Sequence, residues 1–229
     1  DPAGGVFNPL AAGTGIKEIT YTYTDILQCS ASQSLSISVL PAPIFSCGSP
    51  FTDVRDNQSY ETILIGSQCW MAENLNYGAT INATINQSDN CISERHQSPT
   101  PGGSAATSFY QWDELMNYDN SPAGQGLCPP GWHVPLAQEW TTLFNHYQGN
   151  SLAGLALQDV LLNEFRARTS GLYYFGPNWS FMDFAILFWT STLSGQDKVI
   201  SHGMNIYNFS VSTYPSSRAN SFPARCLKD

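Results

Sequence analysis

The residue types that usually carry out chemistry in proteins are scattered through this chain. Its histidines stand in unrelated sequence contexts, at His96, His133, His146 and His202, and no HExxH or CxxC motif is present. No His or Cys group has the spacing of metal ligands. His133 follows Trp132 after a Pro/Gly turn, where it is expected to be a hydrogen-bonded structural residue. The sequence therefore predicts no catalytic or metal-binding histidine.

The acidic residues form no evident catalytic pair either. Asp53 and Asp56 stand on either side of Arg55 in a predicted turn with local hydrogen bonds. Asp113 and Glu114 are predicted on the solvent side of a helix. Glycoside hydrolysis needs two carboxyl groups beside one bond, and folding could still bring distant acids together for it. The sequence itself predicts no catalytic residue, and the protein is expected not to be an enzyme.

Six cysteines are distributed without paired spacing, at Cys29, Cys47, Cys69, Cys91, Cys128 and Cys226. An even number in a chain rich in Ser, Thr and Asn favours disulfides and an oxidising compartment; buried reduced thiols are the alternative. The most economical pair is Cys128 with Cys226, which would tie the end of the chain to its middle. Closing a loop of about 100 residues would contribute about 4.7 kcal/mol in a disputed chain-entropy treatment. The pairing of the other four cysteines stays open.

Composition narrows the class of protein. Hydrophobic residues make up 42% of the 229 residues and aromatic residues 13%, which is ample for a packed core. Charged residues make up 12%, about half the usual share, so the surface must consist largely of Ser, Thr, Asn, Gln and Gly. The net charge is −9, from 9 basic and 18 acidic residues without a basic cluster. This balance disfavours nucleic acids and anionic membranes as partners.

The chain shows no sign of membrane insertion. No apolar run reaches the roughly 18 residues that a membrane-spanning helix needs. The N-terminal sequence DPAGG is not that of a signal peptide. We therefore expect a mature or truncated ectodomain, located outside the cell or on a bacterial cell surface.

Residues 1–43 have a pattern of their own. Apolar and polar residues alternate in two predicted strands joined by a turn at Asp25–Cys29, and the apolar faces carry Ile19, Tyr21, Tyr23, Leu35, Ile37 and Val39. The stretch TYTYTDILQC, followed by SVLPAP, resembles the closing half of immunoglobulin-like repeats in bacterial adhesins. A linker is predicted at Pro41–Pro43. Because so short a segment cannot bury its face alone, the strands either belong to a longer repeat or pack on the next domain.

A larger α+β domain is predicted from residue 44 to residue 229. Residues 51–77 are predicted to form a hairpin with Trp70 and Met71 buried, and residues 78–107 a long surface loop pinned by Cys91. Helices are predicted at 108–118, 138–147 and 152–163 from the spacing of their apolar residues. Leu136 stands where Ser or Thr would form a capping box with Glu139, so this helix start is expected to be weaker by about 1 kcal/mol.

From Gly171 onward the chain changes to short strands and aromatic-rich loops. Tyr, Trp and Phe stand among Ser, Gly and Asn between Tyr173 and Tyr214. Rigid aromatic side chains beside small polar ones are typical of binding surfaces. The alternative is that part of this set lies in the core, because Tyr207, Phe209 and Val211 share one face of a predicted strand. For the segment as a whole we favour a binding surface.

Four segments resemble the major paralogous domain family named from Fibrobacter. They are IGSQCWMAENLNY (65–77), LCPPGWHVPLAQEW (127–140), FWTST (188–192) and FPARCLKD (222–229). The resemblance extends over about residues 51–229 and implies a C-type-lectin-like fold related to that of formylglycine-generating enzymes. No second cysteine lies near Cys226, so the resemblance does not extend to cysteine-based oxidation.

The resemblance indicates no cofactor. Sugar-binding C-type lectins hold calcium with EPN or QPD and WND sequences, and this chain has none of them. Asn178-Trp179-Ser180 is similar to WND only in part, because the final acid is missing. Calcium needs six or more oxygen ligands, and no such cluster is evident. Calcium is therefore an alternative that no motif supports.

The stretches LSGQDKVISHGMN and SRANSFPARCLKD resemble variable proteins of diversity-generating retroelements, in which mutagenised Asn codons yield Tyr, Ser, Asp, Phe, Ile and His. Trp179 and Met182 do not arise from such codons and would have to be fixed or otherwise encoded. The resemblance implies a fixed frame of FWTST, a turn at Gly203-Met204 and FPARC. On this frame, the predicted ligand-binding residues are Tyr174, Trp179, Phe181, Asp183, Ile186, Ser201, Tyr207, Phe209 and Tyr214.

We therefore expect an adhesin-like binding module that recognises a protein or glycan on another cell or host surface. The alternatives are a structural subunit of a pilus or cell wall and, less favoured, a glycan-active or formylglycine-type enzyme. A structural subunit would present unpaired strand edges for polymerisation. An enzyme would have a deep pocket with clustered acids, His or Cys.

Overall fold

The chain is mixed α and β and divides into two compact units, residues 1–45 and 46–229. The computed structural model describes residues 7–24, 26–40, 45–97, 107–158, 165–167, 172–173, 179–180, 185–205, 207 and 210–229. Most of the described sheets are small and antiparallel.

The first unit contains the predicted hairpin. A short helix α1 (Pro9–Ala12) precedes strands β1 (Gly15–Thr24) and β2 (Ser30–Val39), which pair antiparallel with Ile19 opposite Leu35. One face carries the apolar side chains, as the alternation predicts. On the other face, hydroxyl hydrogen bonds of 2.7–2.8 Å join Thr20 to Ser34, Thr22 to Ser32 and Thr24 to Ser30. The hairpin therefore has one apolar and one hydroxyl-lined face.

The second unit contains all the other elements. In chain order they are β3 (Phe51–Thr52), β4 (Ser59–Tyr60), β5 (Thr62–Ile65), β6 (Gln68–Met71), β7 (Ala79–Thr80), β8 (Glu94–Gln97), β9 (Ser108–Gln111), α2 (Trp112–Leu115), β10 (Trp132–His133), α3 (Ala137–His146), α4 (Asn150–Gln158), β11 (Leu172–Tyr173), β12 (Trp179–Ser180), β13 (Ala185–Leu193), β14 (Lys198–Asn205), β15 (Val211–Ser217), β16 (Ser221–Phe222) and β17 (Leu227–Lys228).

The strands of this unit form several small sheets. β3 pairs with β4, and the larger sheets have the orders β10-β17-β6-β5, β12-β11-β16-β9-β8-β7 and β13-β14-β15. β7 and β8 run parallel. The C-terminal strand β17 lies between β10 and β6, with Leu227 opposite both His133 and Trp70. The chain's last strand thus completes a central sheet.

Helix α3 supplies much of the core. Its buried residues Trp140, Leu143 and Phe144 recur at helical spacing and face the sheets. The Trp140 ring lies 4.7 Å from the Trp70 ring and 5.2 Å from the Phe188 ring, measured between centroids. At the helix start, the Leu136 N–H donates to Glu139 Oε2 at 2.7 Å. Leu136 has no side-chain oxygen for the reciprocal bond, so only half of a capping box is present.

The predicted disulfide between Cys128 and Cys226 is present, with a sequence separation of 98 residues. A second disulfide joins Cys47 to Cys69 across 22 residues. Cys91 is an exposed free cysteine, so the prediction that it pins the 78–107 segment is wrong. Hydrogen bonds hold the described part of that segment instead, including His96 Nε2 with the Ile85 carbonyl oxygen and the Gln87 N–H with Gln111 Oε1.

The predicted helix at 108–118 is wrong over its first turn. Residues 108–111 form β9, which is fully buried between β8 and β16, and only Trp112–Leu115 is helical. Pairing on both sides of β9 satisfies its backbone and overrides the helical spacing of its aromatic residues. Glu114 is also buried rather than solvent-facing: it accepts the Glu94 N–H at 2.7 Å and the Tyr118 hydroxyl at 3.0 Å. Burial raises the pKa of Glu114.

Candidate ligand-binding surface

The candidate site lies on the three-stranded sheet β13-β14-β15. Side chains alternate across this sheet, and its inner face carries the buried Ile186, Phe188, Met204 and Val211. His202 lies on the same face, with its ring centroid 5.0 Å from that of Phe144 in α3. Burial lowers the pKa of His202 to about 4, so its imidazole is neutral at physiological pH. The inner face is therefore core and unavailable to a ligand.

The outer face of the same sheet is partly open. Leu187, Gly203 and Tyr214 meet there: a Cβ at Gly203 would lie 2.9 Å from the Tyr214 ring and 3.3 Å from the Leu187 side chain. The Tyr214 ring therefore covers Gly203, which leaves no room for a side chain at that position. Tyr214 is 45% exposed, and Tyr207, between β14 and β15, is 73% exposed. These two tyrosines are the predicted site residues that the structure places on the surface.

Two predicted ligand-binding residues are buried. Ile186 has no exposed surface and belongs to the core beside α3. Ser201 is also fully buried, and its hydroxyl is 2.6 Å from the hydroxyl of Ser216. Both positions fall on sheet residues whose side chains are covered, so neither can contact a ligand at the surface.

The other predicted site residues are described in part or not at all. Trp179 lies in β12, where it pairs with Tyr173, and only its backbone is described. Tyr174, Phe181, Asp183 and Phe209 lie outside the described residues. The Gly203-Met204 turn is wrong, because both residues lie within β14 and pair with Leu187 and Ile186 of β13.

The 188–192 segment is tied to its surroundings by both its indole and its hydroxyls. The Trp189 indole N–H donates to the Tyr110 carbonyl oxygen at 2.8 Å, and the Thr190 hydroxyl donates to the Ile200 carbonyl oxygen at 2.7 Å. The hydroxyl oxygens of Ser191 and Thr192 accept backbone N–H groups from Ala123 and Ala137, each at 3.0 Å. Trp189, Ser191 and Thr192 therefore fix the sheet to three other segments, and Thr190 links β13 to β14 within the sheet.

Arg225 fixes the 222–226 segment from inside the core. Its guanidinium is fully buried and donates to Asn74 Oδ1 at 2.6 Å and to the carbonyl oxygens of Met71, Phe165 and Arg166. The guanidinium carbon lies 4.5 Å from the centroid of the Phe165 ring. Burial lowers the pKa of Arg225 to about 9. Neutral oxygens and aromatic rings therefore surround the charge of Arg225. Through these contacts Arg225 joins the 71–74 and 165–166 segments to the C-terminal segment.

His133 is hydrogen-bonded through both ring nitrogens. Its Nδ1 lies 2.7 Å from Asp229 Oδ1, and its Nε2 lies 3.1 Å from Glu139 Oε2. Burial alone would lower the pKa of His133, but the hydrogen bonds to Glu139 and Asp229 raise it overall. The imidazole therefore links the chain end to the start of α3.

A polar cleft was missed by the sequence analysis. It has a volume of about 550 Å³ and is formed by residues of three segments, 56–58, 76–79 and 91–95. Its lining includes Asp56, Tyr77 and Arg95. These residues share no motif and no regular spacing, so only the fold brings them together.

The described residues also bear on metal binding, membrane-spanning helices and location. They contain no group of three His, Cys, Asp or Glu side chains that could hold a metal ion. In the same part of the chain, no helix is long and apolar enough to cross a membrane. The two disulfides are consistent with a location outside the cytoplasm.

Comparison with known proteins identifies the family. No curated protein and no solved structure matches the chain. The family model described as the Fibrobacter succinogenes major domain matches residues 63–228. This range contains β17, Arg225 and the Cys128–Cys226 disulfide, and it covers well over half of the chain. The chain therefore belongs to the Fibrobacter succinogenes major domain family.

Proposed function

We propose that this protein is a bacterial binding module, secreted or displayed on the cell surface, that recognises a protein or glycan ligand without turning it over. The observation that carries the proposal is the exposure of Tyr214 on a sheet whose opposite face is core, together with the exposure of Tyr207 in the connection between β14 and β15. Exposed aromatic side chains on a rigid support give contact area at low entropic cost. We name this region, Tyr207 and Tyr214 with Leu187 and Gly203, the tyrosine surface.

The frame beneath the tyrosine surface supports this proposal. Hydrogen bonds from Trp189, Thr190 and Arg225 hold the sheet and its neighbours in place, and the disulfide ties Cys226 to Cys128. Substitutions at exposed positions typically change stability by no more than about 0.5 kcal/mol. Such a frame would therefore tolerate many side chains at Tyr207 and neighbouring exposed positions.

The proposal extends to the fold of the two units and to the source of variation at the exposed positions. We propose a C-type-lectin-like fold for the second unit and an immunoglobulin-like origin for the β1-β2 hairpin. We further propose that a retroelement diversifies the exposed positions between the fixed frame segments. Sequencing the 3′ end of the gene across a population, together with its flank, tests the last point. A uniform 3′ end without a nearby template repeat would leave an ordinary adhesin.

The ligand-binding proposal is tested with the full chain on a glycan array and in pull-downs from host-cell surface extracts, scored for retention and for ligand breakdown. We expect retention without breakdown, and at least about tenfold weaker binding for Tyr207→Ala and Tyr214→Ala. Tyr21→Ala is the matched control, because Tyr21 is a similarly exposed strand tyrosine outside the tyrosine surface. Equal losses for Tyr21→Ala would contradict the assignment of the site, and ligand breakdown would favour the enzyme alternative.

A structural subunit is the second candidate. Among the described residues, β1 and β2 pair only with each other, so the outer edge of each strand is open. Open edges can accept strands from other molecules. Sedimentation velocity measures whether the protein forms polymers as its concentration rises. Polymers that disappear in the Ile37→Pro variant, which interrupts β2, would favour this alternative. A monomer at all concentrations would favour the binding module.

A further inference from the structure

The polar cleft lies apart in sequence from the tyrosine surface and shares no residue with it. Its walls come from the turn at 56–58, the chain entering β7 and the chain entering β8. Its volume of about 550 Å³ falls within the roughly 300–1,000 Å³ typical of small-molecule sites. We infer that this cleft binds a neutral sugar unit of a glycan.

The lining is polar and balanced in charge. It contains one carboxylate, Asp56, and one guanidinium, Arg95, together with the side chains of Gln58, Asn76 and Ser93. The amides and hydroxyl can both donate and accept hydrogen bonds, the guanidinium only donates, and the carboxylate only accepts. A sugar hydroxyl also donates and accepts, so it can satisfy each of these groups. Because the Asp56 carboxylate offsets the charge of Arg95, the lining gives an anion no net attraction, and an apolar ligand would leave the polar lining without partners.

Several contacts preorganise the cleft. Arg95 donates through Nη1 to Asn76 Oδ1 and, at 2.9 Å, to the Ser108 hydroxyl, which directs its guanidinium. The Asp56 carboxylate accepts the Gln58 N–H at 2.9 Å, which fixes the turn on the other side. Groups already held in place lose little conformational freedom when a ligand binds.

Tyr77 is the aromatic residue of the cleft lining, and its contacts hold it in place. Its backbone N–H and carbonyl oxygen both bond the Tyr110 hydroxyl, at 2.9 and 2.8 Å, and the Arg55 guanidinium carbon lies 3.9 Å from its ring centroid. Next to it, Gly78 has φ +107°, and a Cβ there would lie 2.7 Å from the Ser93 carbonyl oxygen. The backbone contact between Gly78 and Ser93 fixes the position of Tyr77 at the cleft. An aromatic ring held in this way suits the flat, CH-rich face of a pyranose.

The test uses the full chain and matched substitutions in β7. Ala79 and Thr80 are both exposed, but only Ala79 lines the cleft, because successive strand side chains point in opposite directions. Titration with galactose, mannose and N-acetylglucosamine is expected to show binding of at least one sugar. Ala79→Trp should weaken that binding at least about tenfold, and Thr80→Trp should leave it unchanged. Sialic acid, which is negatively charged, should bind more weakly than the neutral sugar.

The exposed thiol of Cys91 in the cleft lining gives a second readout that does not depend on the Trp variants. In a Cys29→Ser background, which removes the other exposed cysteine, Cys91 is alkylated with iodoacetamide. A sugar at about ten times its Kd should slow the reaction about tenfold, since about one site in ten is then empty. Absence of binding by all three sugars, unchanged alkylation or stronger protection by sialic acid would overturn the proposal. Binding lost in Tyr207→Ala and retained in Ala79→Trp would assign the sugar to the tyrosine surface and also overturn it.

Discussion

The β1-β2 hairpin and the β13-β15 sheet both consist of long antiparallel strands with alternating side chains, but their apolar faces have different environments. In the hairpin, Tyr21 and Leu35 are 68% and 66% exposed. In the sheet, Phe188 and Met204 on the inner face are buried near α3. The period of the pattern is the same, so the partner element decides which apolar side chains become core. Because the inner face is covered, only the outer face of the sheet can carry the proposed ligand-binding surface.

The two disulfides add to this difference between the hairpin and the sheet, because all four bonded cysteines lie in residues 46–229. The Cys128–Cys226 loop spans 98 residues and the Cys47–Cys69 loop spans 22. Chain entropy predicts about 4.7 kcal/mol for the first disulfide and about 3.4 kcal/mol for the second. We expect the Cys128→Ala/Cys226→Ala double variant to lose more stability than Cys47→Ala/Cys69→Ala in urea unfolding. Equal losses would show that loop length does not set the contribution of these disulfides.

A pair of truncations compares the two apolar faces directly. Phe188→Ala should destabilise the second unit by about 3–5 kcal/mol, because it leaves a cavity among Trp140 and Phe165. Tyr21→Ala should change stability by no more than about 0.5 kcal/mol. Tryptophan fluorescence during urea unfolding measures the first change, because all six Trp residues lie after residue 46. The unfolding of the hairpin can be followed by amide hydrogen exchange. A loss of stability for Tyr21→Ala as large as that for Phe188→Ala would show that the two apolar faces contribute equally to stability.

The same comparison explains what could be predicted from sequence. Local alternation was sufficient for β1 and β2, and the segments around Cys128 and Cys226 were sufficient for the family and the long disulfide. The helical spacing of Phe109, Trp112 and Met116 gave a wrong helix, because pairing of β9 with β8 and β16 depends on distant residues.

The candidate sites were less predictable than the fold. Ile186 and Ser201 have residue types that suit a variable surface, yet both are buried. Ile186 points to the inner face of the sheet, and Ser201, opposite Tyr214 on the outer face, is covered by neighbouring side chains. Tyr207 and Tyr214 were predicted and are exposed. For the cleft, Asp56 and Arg95 come from segments about 40 residues apart and no local pattern relates them. Side-chain direction and long-range pairing are the two kinds of information that a single sequence lacks.

The smallest expected effect concerns the pH dependence of the His133 contacts. The pKa of His133 is raised from 6.5, so its contribution to stability is complete below 6.5 and is lost as the pH rises through the folded-state pKa. Burial would raise the pKa of Glu139, but hydrogen bonds from His133 and the Leu136 N–H lower it from 4.5. Its contribution is present above 4.5 and is lost as the pH falls through the folded-state value. Both contributions are therefore present together between pH 4.5 and 6.5.

Comparison of the wild type with His133→Gln by urea unfolding at several pH values tests this window. We expect the stability difference between the two proteins to be larger at pH 5.5 than at pH 8.5. The pH-dependent part should be less than about 1 kcal/mol, because the Asp229 side chain is 55% exposed and solvent screens such pairs. Asp229→Asn should remove only part of the pH dependence, since Glu139 still faces Nε2 of His133. A stability difference that is constant across this range would mean that packing of the imidazole, rather than its charge, joins the chain end to α3.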